Sequence, residues 1–124
     1  MLVCTMPSLR TCLALIVLTT VGLADGCHRS VIDHAGLTAA THDSLALLAT
    51  RSANRSLPPH QWPAGIMALR PERIIVRDRV VEIVAQSYFD GGWGYYVTTD
   101  PKDLPMPREC VDRIGPDIYW HGPC

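Results

Sequence analysis

Arg73-Ile74-Ile75-Val76-Arg77-Asp78-Arg79-Val80-Val81-Glu82-Ile83-Val84-Ala85 is the stretch on which the fold turns. Two β-branched runs flank Asp78-Arg79. A branched Cβ stiffens χ1 and suits a pleated strand, and the polar pair between the runs supplies a reversal, so the segment predicts a tight antiparallel hairpin. Side chains alternate along a strand. Val81, Ile83 and Ala85 therefore share one face, with Val80, Glu82 and Val84 on the other. Further on, Asp90-Gly91-Gly92 reads as a turn feeding Trp93-Gly94-Tyr95-Tyr96-Val97-Thr98, a third strand with Trp93, Tyr95 and Val97 on one side. The proline-rich stretch 101–107 reads as extended loop. Ile118-Tyr119-Trp120 reads as a final edge strand or a packed tail.

Helical signals lie before the hairpin. Asp43 is a candidate N-cap for a short helix carrying Leu45, Leu47, Leu48 and Ala49, ended by Asn54-Arg55-Ser56 and Pro58-Pro59. Trp62-Pro63-Ala64 opens a second, with proline in its first turn, Ile66, Met67 and Leu69 along it, and Pro71 as its stop. Residues 28–41 carry only Val31, Ile32 and Leu37 as large apolar positions and read as a linker or weak helix. The expected fold class is α+β, a small antiparallel β-meander with one or two short N-terminal helices. The expected organisation is a signal peptide over 1–26, a tether and short helix over 27–56, and a small domain over 57–124 with a cysteine-closed tail.

The N-terminus decides the compartment. Arg10 precedes an apolar run, Cys12 to Val17, that extends through Leu18, Val21 and Leu23 and closes on Ala24-Asp25-Gly26-Cys27. This has the form of a secretory signal peptide, whether translation starts at Met1 or Met6. About a dozen residues is well short of the ~20 that span ~30 Å of hydrocarbon, which disfavours an uncleaved anchor. Ala24-Asp25-Gly26-Cys27 resembles the bacterial lipobox, in which a small residue precedes a cysteine that is acylated on sulfur and becomes the new N-terminus. Gly26 matches that pattern; Ala24 stands where the motif prefers Leu or Val, and Asp25 is unusual there. The resemblance implies lipidation of Cys27. Cleavage by an ordinary signal peptidase, using Gly22-Leu23-Ala24 or Ala24-Asp25-Gly26, is the alternative. With His28 rather than Asp after the cysteine, the sorting rule of such lipoproteins implies outer-membrane anchoring; without lipidation the protein is soluble periplasmic or secreted.

Cysteine parity agrees with lipidation. Of five cysteines, Cys4 and Cys12 leave with the signal, and Cys27, Cys110 and Cys124 remain. Acylation of Cys27 removes the odd thiol and leaves Cys110 and Cys124 to form a disulfide in an oxidising compartment; pairing of Cys27 with one of them is the alternative. His121 would be only a third ligand, so no zinc site is expected.

Charge excludes little but points nowhere. Removing residues 1–26 takes Arg10 and Asp25, turning 11 basic and 12 acidic residues into 10 and 11. No basic stripe marks a nucleic-acid partner, since Arg70, Arg73, Arg77 and Arg79 alternate with Glu72 and Asp78. His28, His34 and His42, with Asp33 and Asp43, are spaced wrongly for one helical face and read as a solvated segment rather than a metal site. Asp90-Gly91-Gly92-Trp93-Gly94 lacks the lysine and hydroxyl of a phosphate loop, and neither Ser56 nor Ser87 has a base placed by a motif. No cofactor is expected.

Aromatic residues concentrate in the domain: Trp62, Tyr88, Phe89, Trp93, Tyr95, Tyr96, Tyr119 and Trp120. A small domain needs large side chains for its core, which is the favoured reading, although Tyr and Trp also suit binding surfaces. If one face is exposed, alternation makes Tyr96 and Tyr119 the surface pair.

The block from Leu57 onward resembles small uncharacterised bacterial exported proteins, on Pro58, Trp62-Pro63, Ile66, Ala68-Leu69, Pro71, Gly94-Tyr95-Tyr96-Val97 and Gly115 to Trp120. The resemblance implies an exported domain and adds no site. The expected function is that of a non-enzymatic bacterial cell-envelope lipoprotein with a small binding or structural domain. Its expected partners are the membrane, through the lipid anchor, and an envelope protein or peptidoglycan. The alternative is a soluble, secreted, disulfide-stabilised module that binds or inhibits a protein partner.

Overall fold

The computed structural model describes residues 34–50, 54–89 and 91–124. The segment 1–26 expected to be a signal peptide, and Cys27, His28 and Asp33, lie outside the described residues. Six strands, β1 (Arg55–Leu57), β2 (Arg73–Val76), β3 (Val81–Gln86), β4 (Trp93–Val97), β5 (Val111–Gly115) and β6 (Ile118–His121), form one antiparallel sheet in the order β1-β2-β3-β4-β6-β5. Two helices, α1 (His34–Thr50) and α2 (Ala64–Met67), pack on each other, and α1 also reaches β3 and β4. The fold is thus a small α+β fold, as the alternating runs predict.

The hairpin that anchors the sheet pairs Val76 with Val81 and Ile74 with Ile83. The Arg77 N–H donates to the Val80 carbonyl at 2.8 Å, which closes the reversal around Asp78-Arg79. Ile74, Val76, Val81, Ile83, Tyr95, Val97 and Ile118 are buried together with Ala40, Leu47, Ile66 and Leu69 from the helical side. Each fully buried branched side chain contributes about 1.5–3 kcal/mol, so this face of the sheet holds most of the stability.

The first helix departs from expectation. It begins at His34, and Asp43 sits in its interior rather than at its cap. Ala40, Ser44 and Leu47, spaced by four and three residues, form the buried stripe. Ser44 Oγ donates to the Ala40 carbonyl at 2.7 Å, so the buried hydroxyl is satisfied within the helix. Because Ala40 and Leu47 lie in the core, the helix His34–Thr50 packs as part of the same unit as the sheet.

Asp43 serves the helix–helix contact instead. Its carboxylate accepts the Gly65 N–H at 2.8 Å, and a Cβ at Gly65 would lie 2.6 Å from Asp43 Oδ2 and 2.7 Å from the Ala39 carbonyl oxygen. α2 forms where expected but is shorter, with Pro63 as its N-cap rather than in its first turn and its end at Met67, before Leu69 and Pro71. The Trp62 indole N–H donates to the Leu57 carbonyl at 2.9 Å, tying the segment to β1.

At the other edge, Ile118-Tyr119-Trp120 belongs to an interior strand. β5, a segment to which the sequence assigns no element, pairs with β6 and takes the edge. Asp117, with φ of 61°, makes the reversal between them.

Candidate functional site

Direct cross-strand pairing runs from Ile75 through Glu82 and Tyr96 to Tyr119 and Arg113. These residues share the sheet face turned away from the helices. Val80, Tyr96 and Tyr119 are buried there, with Leu104, Met106 and Val111 packed against them. Tyr96 is 4 % exposed and Tyr119 2 %. They are therefore not the surface pair that alternation suggested, because residues of the 101–107 stretch fold over them. The stretch contains a 3-10 turn, Pro101–Asp103, nucleated by the Asp100 carboxylate accepting the Lys102 N–H at 2.9 Å.

Polar groups are buried on the same face. Glu82 Oε2 accepts from Arg77 Nη2 at 2.7 Å and from Arg77 Nε at 3.2 Å. The carboxylate is largely buried and the guanidinium about half so, which gives a charge-assisted pair at the edge of the covered region. His121, paired across from Gly94, stacks on Tyr96 with ring centroids 4.1 Å apart and planes 12° apart. Gly94 leaves room for this, since a Cβ there would lie 3.2 Å from His121 Nε2.

The electrostatics follow from burial. Tyr96 is pushed up to about 12, first by burial and then by the Glu82 carboxylate, against a smaller lowering by Arg77. His121 is held below its ordinary 6.5 by burial, against smaller raising influences from Glu82 and the Gly122 backbone. Both are neutral at pH 7. Neither ring nitrogen of His121 makes a hydrogen bond of proper geometry to any group, Gly122 included. Imidazole, phenol and carboxylate are groups of proton-transfer chemistry. Under Leu104 and Met106 they form a closed cluster.

A second aromatic cluster is exposed. Between β3 and β4, Phe89 is 92 % exposed and Tyr88 53 %. Their ring centroids lie 4.8 Å apart, and Tyr88 meets half-buried Trp93 edge-on at 5.8 Å. Gly91 and Gly92 turn the chain with φ of 125° and 82°. Gly92 is required, since any Cβ would collide with the Gln86 carbonyl oxygen. On the other side, the Ser87 N–H donates to Glu72 Oε2 at 2.7 Å, which fixes the strand exit. Three aromatic residues thus stand at one tip of the sheet.

Cys110 and Cys124 come together as a disulfide pair, with Cα atoms 5.7 Å apart across a sequence separation of 14. They join the entrance of β5 to the residues after β6. Cys27 lies outside the described residues. Among the described residues no helix is long and apolar enough to cross a membrane, and no three His, Cys, Asp or Glu residues are grouped to hold a metal ion.

Two functional candidates escaped the sequence reading. His121 was one residue beyond the segment read as strand, yet alternation from Tyr119 places it on the Tyr96 face. Tyr88 and Phe89 were counted with the core, because nothing local shows that β3 has ended at Gln86. Comparisons of the chain with protein-family models, with curated proteins and with solved structures found no match.

Proposed function

We propose that the protein is a non-enzymatic binding module of the bacterial cell envelope, tethered through an acyl chain on Cys27 and contacting an envelope protein through the Tyr88-Phe89-Trp93 tip. The observation that carries the binding reading is the exposure of Phe89 and Tyr88 in mutual ring contact; the other exposed large apolar side chains among the described residues are Met67 on α2 and Ile114 on β5. Aromatic rings supply contact area at low entropic cost and commonly anchor protein interfaces. Glycines on one side and the Ser87–Glu72 hydrogen bond on the other hold the tip clear of the sheet. The envelope reading rests on the apolar run, the lipobox resemblance and the pairing of the last two cysteines.

The test combines cell fractionation with photo-crosslinking from position 89. Wild type is expected in the membrane fraction and Cys27→Ser in the soluble one. Crosslinks to one discrete envelope protein are expected from position 89, and far fewer from exposed Arg108. Wild type in the soluble fraction removes the anchor and leaves the secreted module. Equal crosslinking from both positions removes the tip as the contact.

A further inference from the structure

We propose that His121 is an acid-operated latch: its neutral ring holds the Tyr96–Tyr119 face closed beneath residues 101–110, and its protonated ring releases that face. The inference concerns the domain alone and stands whether or not Cys27 is acylated.

The closed arrangement tolerates a neutral ring by packing only. His121 is 3 % exposed and both its nitrogens lack hydrogen-bond partners. Stacking on Tyr96 and the absence of a side chain at Gly94 hold it in place. A neutral imidazole leaves one donor and one acceptor unmet. An imidazolium would leave two donors and a full charge unmet, which is far more costly in a buried setting.

The groups that favour the cation, Glu82 and the Gly122 backbone, act more weakly than burial opposes it. From β3 comes Glu82, whose hydrogen-bonded Oε2 is engaged by Arg77, a positive charge that offsets the carboxylate's pull. From β4 comes Tyr96, a neutral phenol. β5 places Val111 across from His121 and Arg113, another cation, across from Tyr119. In the covering segment Leu104 and Met106 are apolar, and Asp103 is directed to Arg79 at 3.8 Å. Burial already holds the ring below its ordinary 6.5, so the trigger lies on the acid side of that value.

Topology decides what moves. His121 ends β6, and Gly122 and Pro123 lead from it to Cys124. Cys124 is paired with Cys110 at the end of the covering segment, so displacement of the β6 end and of the cover is a joint event. β2 and β3 lie on the far side of β4 and are not joined to that bridge. Release therefore exposes Tyr96 and Tyr119 while the helix-covered part of β2 and β3 stays in place.

The test is amide hydrogen exchange on the mature, disulfide-bonded chain between pH 7.5 and 5, well below the melting temperature, with rates corrected for intrinsic pH dependence. The expected result is a reversible loss of protection, tenfold or more, at Tyr96, Tyr119 and His121, with Ile74 and Ile83 unchanged. It should follow the titration of His121 seen by NMR. His121→Phe, which cannot gain a proton, should stay protected throughout; His121→Gln serves the same comparison if Phe is not accommodated. Proton uptake by His121 without loss of protection, the same loss in the uncharged variant, or simultaneous loss at Ile74 and Ile83 would each overturn the latch.

Discussion

The Asp43 carboxylate accepts the Gly65 N–H at 2.8 Å, and through that bond the middle of α1 is fixed against the first turn of α2. Glycine is needed because the backbone of α1 is the neighbour: a Cβ would stand 2.7 Å from the Ala39 carbonyl oxygen. Helix–helix separation and the placement of Ile66 in the core follow from this close approach.

Gly65→Ala is expected to destabilise by about 1–3 kcal/mol, since the steric cost of the crowded contact exceeds the ~1 kcal/mol that alanine gains over glycine in a helix. Asp43→Ala is expected to cost about 1.5–3 kcal/mol through loss of a hydrogen bond to a charged acceptor. Denaturant unfolding measures both. Their double variant should cost less than the sum, because the two residues share one contact; full additivity would show the bond carries nothing.

The two aromatic clusters should respond in opposite ways. Tyr96→Ala and Tyr119→Ala remove rings from a packed face and are expected to cost about 3–5 kcal/mol. Phe89→Ser and Tyr88→Ser are expected to change stability by only about 0.5 kcal/mol while reducing the crosslinks proposed above. Thermal unfolding separates the pairs. A large loss from Phe89→Ser would place its ring in a stabilising contact and remove it from the binding surface.

What the sequence disclosed follows the strength of local pattern. β2, β3 and β4 are legible because β-branched and aromatic residues alternate over a core, and the Asp78-Arg79 and Gly91-Gly92 reversals are local chemistry. β5 is not: Val111-Asp112-Arg113-Ile114-Gly115 has mostly exposed side chains, so its pairing with β6 is a backbone matter. The start of α1 is hidden for a different reason. Ahead of Leu47 its buried stripe is Ala40 and Ser44, residues with too little apolar bulk to mark a helical period. Tyr96 and Tyr119 were placed on the correct face. What covers that face is Leu104 and Met106, in a proline-rich stretch without periodicity, so burial of the pair was a tertiary fact.

Stability should fall on both sides of neutrality for separate reasons. His121 is depressed in the folded state, so in the window below 6.5 the unfolded chain binds more protons, and stability is lost as pH falls through the folded value. Tyr96 is raised from 10.0 to about 12, so above pH 10 the unfolded phenol ionises first, and stability is lost as pH rises toward 12. Melting curves across pH should show His121→Gln flattening the acid limb and Tyr96→Phe the alkaline one. An acid limb unchanged in His121→Gln would assign that loss to other groups.

The Cys110–Cys124 pair is expected to stabilise by about 3 kcal/mol, from closing a loop of roughly 15 residues in the unfolded chain. The loss should be uneven. Asp112, Arg113 and Ile114 are exposed, so burial alone holds β5 weakly, whereas β2, β3 and β4 share the helix-covered core. Replacing both cysteines by serine should therefore lower the midpoint of unfolding and fray β5 and β6 before the rest, read as lost amide protection at Arg113 and Tyr119 with Ile83 still protected. Replacing both also avoids a lone thiol that would confuse the result by intermolecular pairing. Non-reducing peptide mapping of protein taken from the envelope should recover Cys110 and Cys124 in one linked fragment. Recovery of either as a free thiol, or linked to Cys27, would make the bridge a minor species and would return Cys27 to the pool of ordinary thiols, removing the parity argument for its acylation.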